Sequence, residues 1–281
     1  MKNKPTHADP AGSRYLALQR LARAQGRATA ELLQLYVLES FLRRLARSQH
    51  SSTLVLMGGV LLAAFDLRRA TRDVDVLALR ADNDPAAVQR LITDILSVDA
   101  EDGVTFLQET VAVAVIRDDA IYPGVRASLA AHLASARLKL SVDFNVGDPV
   151  VPKPTLTAIP GLLEDDEIEV LAYPKAMIVA EKLVTALQRG RANTRWRDFA
   201  DLLLLLEGDL VESEMVEALK AVSQHRNVRL QPLGEALEGM AEEAQRRWSA
   251  WRKRQSVQGN LPDDFSAVLT SLDAYTKRWL R

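Results

Sequence analysis

The sequence contains no cysteine. Disulfides, thiolate metal centres and cysteine nucleophiles are thereby excluded. Histidine is nearly as scarce: His7, His50, His132 and His225 are the four present, with no two at i,i+3 or i,i+4 spacing, so no histidine-built zinc site is expected. No window approaches the roughly 18 consecutive apolar residues of a membrane span. The opening MKNKPTHADPAGS has no apolar core behind its lysines, so it reads as a short disordered lead-in and not as a secretory signal. A soluble cytoplasmic protein is the expectation. Net charge is −1, too near neutral for a general polyanion binder. There is no internal repeat, and the one low-complexity tract is Leu202–Leu206, whose leucines lie on all sides of a helix and so predict a buried one.

What is present suits a globular chain: 281 residues, 48% hydrophobic and 26% charged, enough for one large domain or two ordinary ones. Helical periodicity runs over Arg14–Arg47 in two pieces broken near Gly26. Leu54–Met57 predicts a buried strand, Val60–Phe65 a short helix, Val74–Leu79 a second strand, and Pro85–Leu96 a helix capped by Asp84. From Thr105 to Val146 the pattern is β, with turn signals within Arg117–Gly124 and clear alternation over Arg137–Val146. The proline-rich piece Pro149–Pro160 is the candidate boundary. Beyond Tyr173 the pattern is helical over Pro174–Arg189, Trp196–Glu207, Glu212–Gln224, Leu233–Trp251 and Phe265–Trp279. Trp248, Trp251, Phe265 and Trp279 read as packing anchors of that helical half.

Chemistry concentrates in Met57–Asp75, MGGVLLAAFDLRRATRDVD. Gly58 and Gly59 lack Cβ atoms, so backbone N–H groups could approach phosphate oxygens at a helix start; a Gly-Gly pair also serves as a plain strand-to-helix turn. Asp73 and Asp75, two apart on a strand, face one side. Such a pair suits Mg²⁺ when the other ligands are phosphates and waters, and equally suits a solvated face. Asp143 could supply a third carboxylate from the alternating strand. A second constellation lies in YPKAMIVAEKLVTALQRGRANTRWRDFADLLLLL. Lys182 sits within an apolar helix, either as a snorkelling flank residue or as a point charge on triphosphate oxygens. Asp198, in the first turn of the next helix, complements the helix dipole or positions Lys182 or a substrate hydroxyl. Arg189, Arg191, Arg195 and Arg197 crowd one segment, and Arg246, Arg247, Arg252, Lys253 and Arg254 another; each is a solvated face or a patch for a nucleic-acid backbone.

Taken together these pieces resemble the AbiEii/AbiGii-type nucleotidyltransferase toxins, a branch of the DNA polymerase β-like nucleotidyltransferase superfamily. LESFLRRL, LMGGVLL, RATRDVD, LSVDFNVGDPVVP, YPKAMIVAEKLVTAL and NTRWRDFADL arrive in family order. The resemblance runs from about Tyr15 to the C-terminus and is most specific over Gly58–Asp75 and Tyr173–Leu202. It implies an α+β fold, a nucleotidyltransferase-like mixed sheet flanked by helices and followed by a helical C-terminal half that closes the cleft. In that division residues 1–155 form the core with its N-terminal helices and 156–281 the helical domain. It places Asp73, Asp75 and Asp143 on Mg²⁺, and Gly58, Gly59, Thr71 and Lys182 on the nucleotide. Lys182 and Asp198 match the family's essential lysine and aspartate. Two positions depart from the pattern: Met57 stands where relatives carry lysine, and Arg197 replaces the lysine before the aspartate.

The function so implied is a Mg²⁺-dependent toxin of a toxin–antitoxin system that transfers NMP from an NTP to RNA, at the tRNA 3′ end. Arg189, Arg191, Arg195 and Arg197 would contact the RNA backbone, and a cognate antitoxin would be the protein partner. Two alternatives stay open: a small-molecule or protein acceptor, and a non-catalytic nucleotide-binding or antitoxin-docking module.

Overall fold

The computed structural model describes residues 5–79, 84–116, 124–163, 167–255 and 261–280. The start of the expected lead-in (1–4) and most of the expected turn within Arg117–Gly124 (117–123) lie outside these residues. The chain divides into two compact units, Met1–Asp148 with Pro154–Tyr173, and Pro149–Lys153 with Pro174–Arg281.

In the first unit, α1 (Pro10–Ala24) begins inside the stretch expected to be a disordered lead-in. The reason is local: Asp9 caps the helix by accepting the Gly12 N–H at 2.7 Å, and Pro10 fits its first turn. Helix α2 (Thr29–Arg47) is buried along nearly its whole central length, including Glu39, Ser40, Arg43 and Arg44. Asp102 explains part of that polarity. Its carboxylate receives Arg44 (2.7 and 3.3 Å) and the Ser40 hydroxyl, so the charge is paired where water is absent. Helix α4 (Pro85–Leu96) starts as its sequence predicts, with Asp84 accepting the Ala86 and Ala87 N–H groups, each at 3.1 Å.

The sheet has seven strands: β1 (Leu54–Met57), β2 (Val74–Ala78), β3 (Val104–Ile116), β4 (Gly124–Leu133), β5 (Ala136–Asn145), β6 (Thr155–Pro160) and β7 (Glu167–Ala172), in the order β3-β4-β5-β2-β1-β7-β6. Pairs β2·β5 and β1·β7 are parallel and the others antiparallel, so the sheet is mixed. Alternation sends Val74, Val76, Val142 and Phe144 into the core and leaves Asp75 and Asp143 on the opposite face. Helix α2 packs on β5 and β7, and α4 on β3 and β4. Between β1 and β2 the chain forms a short helix α3 (Gly58–Leu61), a 3-10 turn Leu62–Phe65 and an irregular segment. Strands β6 and β7 lie where a helical half was expected to begin at 156, and the helices start at Lys175.

The second unit is helical: α5 (Lys175–Arg189), α6 (Trp196–Leu206), α7 (Glu212–His225), α8 (Leu233–Ala236), α9 (Met240–Arg252) and α10 (Phe265–Thr276). The single helix expected over Leu233–Trp251 is two, because Gly239 takes φ +77°, a left-handed conformation that ends one helix and opens the next. Four of the five residues of the leucine run are buried, as its all-round pattern predicts. Trp248 and Phe265 are fully buried with ring centroids 5.2 Å apart, and Phe265 meets Trp196 and Phe199 edge-on at 5.5 and 5.3 Å. These rings tie α6, α9 and α10 together, an anchoring role. Among the described residues no helix is long and apolar enough to cross a membrane.

Candidate active site

Strand register builds an acidic row across the sheet. Met57 on β1 pairs with Asp75 on β2, Asp75 with Asp143 on β5, and Asp143 with Arg126 on β4. Residues in register on neighbouring strands point to the same face, so these four side chains stand side by side. Asp73, two residues before Asp75, joins that face at the mouth of β2. Sequence spacing foresaw the Asp73–Asp75 pair, and Asp143, expected as a third carboxylate from the alternating strand, stands in register beside Asp75.

Asp75 carries the tension of this arrangement. Burial, and then the charges of Asp73 and Asp143, push its carboxyl up to about 7, against the opposing pull of the Gly59 N–H and Arg69. Gly58 is the residue that lets this carboxylate sit where it does. It holds φ +68°, and a Cβ there would come within 2.0 Å of Asp75 Oδ2. Gly59 is constrained in a second way: a Cβ would meet Thr71 Oγ1 at 2.8 Å. The glycine pair thus brings backbone against Asp75 and Thr71, and the Gly59 N–H donates to Asp75. The buried Thr71 hydroxyl lies 3.4 Å from Asp73 Oδ1.

Asp143 is engaged on both oxygens by Arg126, Nε to Oδ1 at 2.6 Å and Nη2 to Oδ2 at 2.5 Å, and the same Nη2 lies 3.8 Å from Asp73 Oδ2. Arg126 carried no signal in the sequence reading, because only the β4–β5 register places it here. Among the described residues no three of Asp, Glu and His converge as a ready metal cage. The donor set that remains, Asp73 and Asp75 with their mutual repulsion, fits a hard cation that takes one or two carboxylates and fills its other positions with phosphate and water oxygens.

The segment leading to Asp73 is held by a buried acid. Glu39 of α2 receives Arg68 and, at 3.1 Å, the Leu162 N–H, while Arg68 also reaches the Pro160 carbonyl. Burial raises the Glu39 carboxyl above its ordinary value despite Arg68. This latch was not foreseen in the sequence, where Glu39 stands only within the LESFLRRL piece and its partners Arg68 and Leu162 are far along the chain.

The second unit holds its own charged cluster. Lys182 on α5 donates to Asp198 (2.6 Å) and Asp201 (2.9 Å) on α6, and Arg195 Nε reaches the other Asp198 oxygen at 2.5 Å. Burial would raise the Asp198 carboxyl, but Lys182 and Arg195 outweigh it and hold it below the usual range. The structure therefore joins the predicted Lys182 and Asp198 and adds Asp201, whose i+3 spacing from Asp198 was the available signal. Of the four arginines assigned to RNA, Arg195 is paired with Asp198 and Arg191 with Glu243 of α9.

A family model described as the nucleotidyl transferase AbiEii toxin of type IV toxin–antitoxin systems matches residues 40–271. Among solved structures, a candidate nucleotidyltransferase from Helicobacter pylori is similar with a TM-score of 0.51 at 14% identity, over 89% of this chain and 95% of that chain. JHP933 from Helicobacter pylori aligns with a TM-score of 0.49 at 13% identity, over 89% and 92%. No match is found among curated proteins. The first structural likeness speaks for the fold, and the family match covers most of the chain, including both charged clusters. With the glycine turn, the Asp-x-Asp strand and the Lys182–Asp198 pair in place, the chain belongs to the AbiEii nucleotidyl transferase toxin family, whose type IV toxin–antitoxin systems imply an antitoxin partner.

Proposed function

We propose that this protein is a Mg²⁺-dependent toxin that transfers NMP from an NTP to RNA, with the tRNA 3′ end as acceptor. The observation that carries the reading is the placement of Asp73 and Asp75 on one face beside the Gly58–Gly59 turn. Asp73 and Asp75 would hold the ion, and Thr71 would offer its hydroxyl to phosphate. Bound there, Mg²⁺ would supply charge neutralisation for the triphosphate and its departing pyrophosphate when a hydroxyl displaces it at the α-phosphorus. The residues' own contribution is preorganised charge: strand pairing on both sides fixes Asp75, and Asp73 sits immediately before that strand with the Thr71 hydroxyl beside it. Lys182 and Asp198, which the family resemblance makes essential, belong to the reading as a second required pair. Arg189, Arg191, Arg195 and Arg197 are assigned to the RNA backbone.

The test is incubation of the purified protein with total tRNA, Mg²⁺ and each α-labelled NTP in turn, beside Asp73→Ala and Lys182→Met. Label entering tRNA from one nucleotide, and absent with either variant, is the expected result. No transfer from any of the four removes tRNA as the acceptor.

A further inference from the structure

We propose that Arg126 makes the acidic row a single-metal site: its guanidinium withdraws Asp143 from metal coordination and stands as a permanent second cation beside Asp73. This rests on the reading of Asp73 and Asp75 as metal ligands and goes beyond it by removing one carboxylate from the ligand set.

Three observations support it. Both oxygens of Asp143 are taken by one fork of Arg126 at 2.6 and 2.5 Å, the bidentate, charge-assisted geometry in which arginine binds carboxylate most firmly. Arg126 and Asp143 are also register partners in the β4–β5 ladder, so backbone pairing holds their Cα atoms together. The contact is thus built into the hairpin and does not depend on a wandering side chain. Finally, the same guanidinium lies 3.8 Å from Asp73 Oδ2, so its charge acts on the ligand pair itself.

The charge arithmetic agrees. The guanidinium charge of Arg126 offsets that of Asp143, which leaves Asp73 and Asp75 as the two carboxylates open to one divalent ion. Recruiting Asp143 to a metal would require stripping both guanidinium hydrogen bonds from a carboxylate only 8% exposed, which has little water to replace them. Arg126 itself is 40% exposed, so its charge is open to the solvent side where a triphosphate would lie. In a site of this kind the arginine takes over the neutralising work of a second ion.

The experiment counts bound Mn²⁺ by electron paramagnetic resonance on the full chain, for wild type, Asp73→Asn, Asp143→Asn, Arg126→Met and Arg126→Lys. Circular dichroism establishes that each variant is folded. The expected result is one Mn²⁺ per wild-type chain. Affinity should fall tenfold or more in Asp73→Asn and by clearly less in Asp143→Asn, where the Arg126 charge, no longer offset by Asp143, weakens binding without removing a ligand. Arg126→Met should admit a second Mn²⁺ by freeing Asp143, and Arg126→Lys should still bind one. Two ions in the wild type, or an Asp143→Asn loss equal to that of Asp73→Asn, overturns the proposal while leaving the metal site intact. Mn²⁺ binding that is absent, or indifferent to Asp73→Asn, overturns the metal site as well. If Arg126→Met does not fold, the contrast between Asp73→Asn and Asp143→Asn decides alone.

Discussion

Gly58 combines φ +68° with a Cβ direction that runs into Asp75. A left-handed conformation costs a non-glycine residue about 1–2 kcal/mol before any clash is counted. Gly58→Ala should therefore lower unfolding stability by at least about 2 kcal/mol in urea titration and, by displacing Asp75, reduce nucleotidyl transfer more than tenfold. Asp198 gives a prediction in pH. Its carboxyl is held below the ordinary 3.8 by Lys182 and Arg195, although burial pulls the other way. The folded state then favours the ionised form, so this stabilisation is present above pH 3.8 and is lost as pH falls through the lower folded value. Thermal melts of wild type and Asp198→Asn should differ at neutral pH and converge as acid is added below that point.

Among the elements, the helix starts show the tightest link from sequence to structure. Asp9, Asp84 and Asp264 each accept a backbone N–H at the head of a helix, and proline follows the first two directly. Asp84→Ala should cost about 1 kcal/mol, the usual loss for removing such a cap, measured as a shift of the chemical denaturation midpoint. The Asp84 start was legible because capping is a contact over two or three residues, whereas Asp9 lay in a stretch expected to be a lead-in and Asp264 was not read as a cap. The strands Thr155–Pro160 and Glu167–Ala172 were not read as such, although Glu167 and Glu169 alternate with buried Ile168 and Val170. Six residues of alternation beside a proline-rich stretch do not by themselves declare a sheet; pairing with β1, a hundred residues earlier, does. The break at Gly239 was missed for the opposite reason, because apolar spacing continues across it while the backbone reverses its hand.

At the scale of the molecule, net charge is −1, so the RNA binding that the proposed function requires has to come from local patches. Four free arginine–phosphate contacts would give a slope of about −2.8 for log affinity against log salt on a single strand. With Arg191 held by Glu243 and Arg195 by Asp198, the slope should be shallower than that, as filter binding over a KCl series will show. Family membership, the Asp73–Asp75 pair, the glycine turn and the Lys182–Asp198 helices were determined by the sequence itself, since each is a short-range pattern of residue types. Tertiary structure alone decided what those residues touch. Arg126 meets Asp143 because the β4–β5 hairpin pairs them, Asp143 meets Asp75 because β5 runs parallel beside β2, and Lys182 lies between two aspartates because α5 packs on α6. Composition records which charges a chain owns, and long-range pairing settles which of them are neutralised and which are left for a ligand.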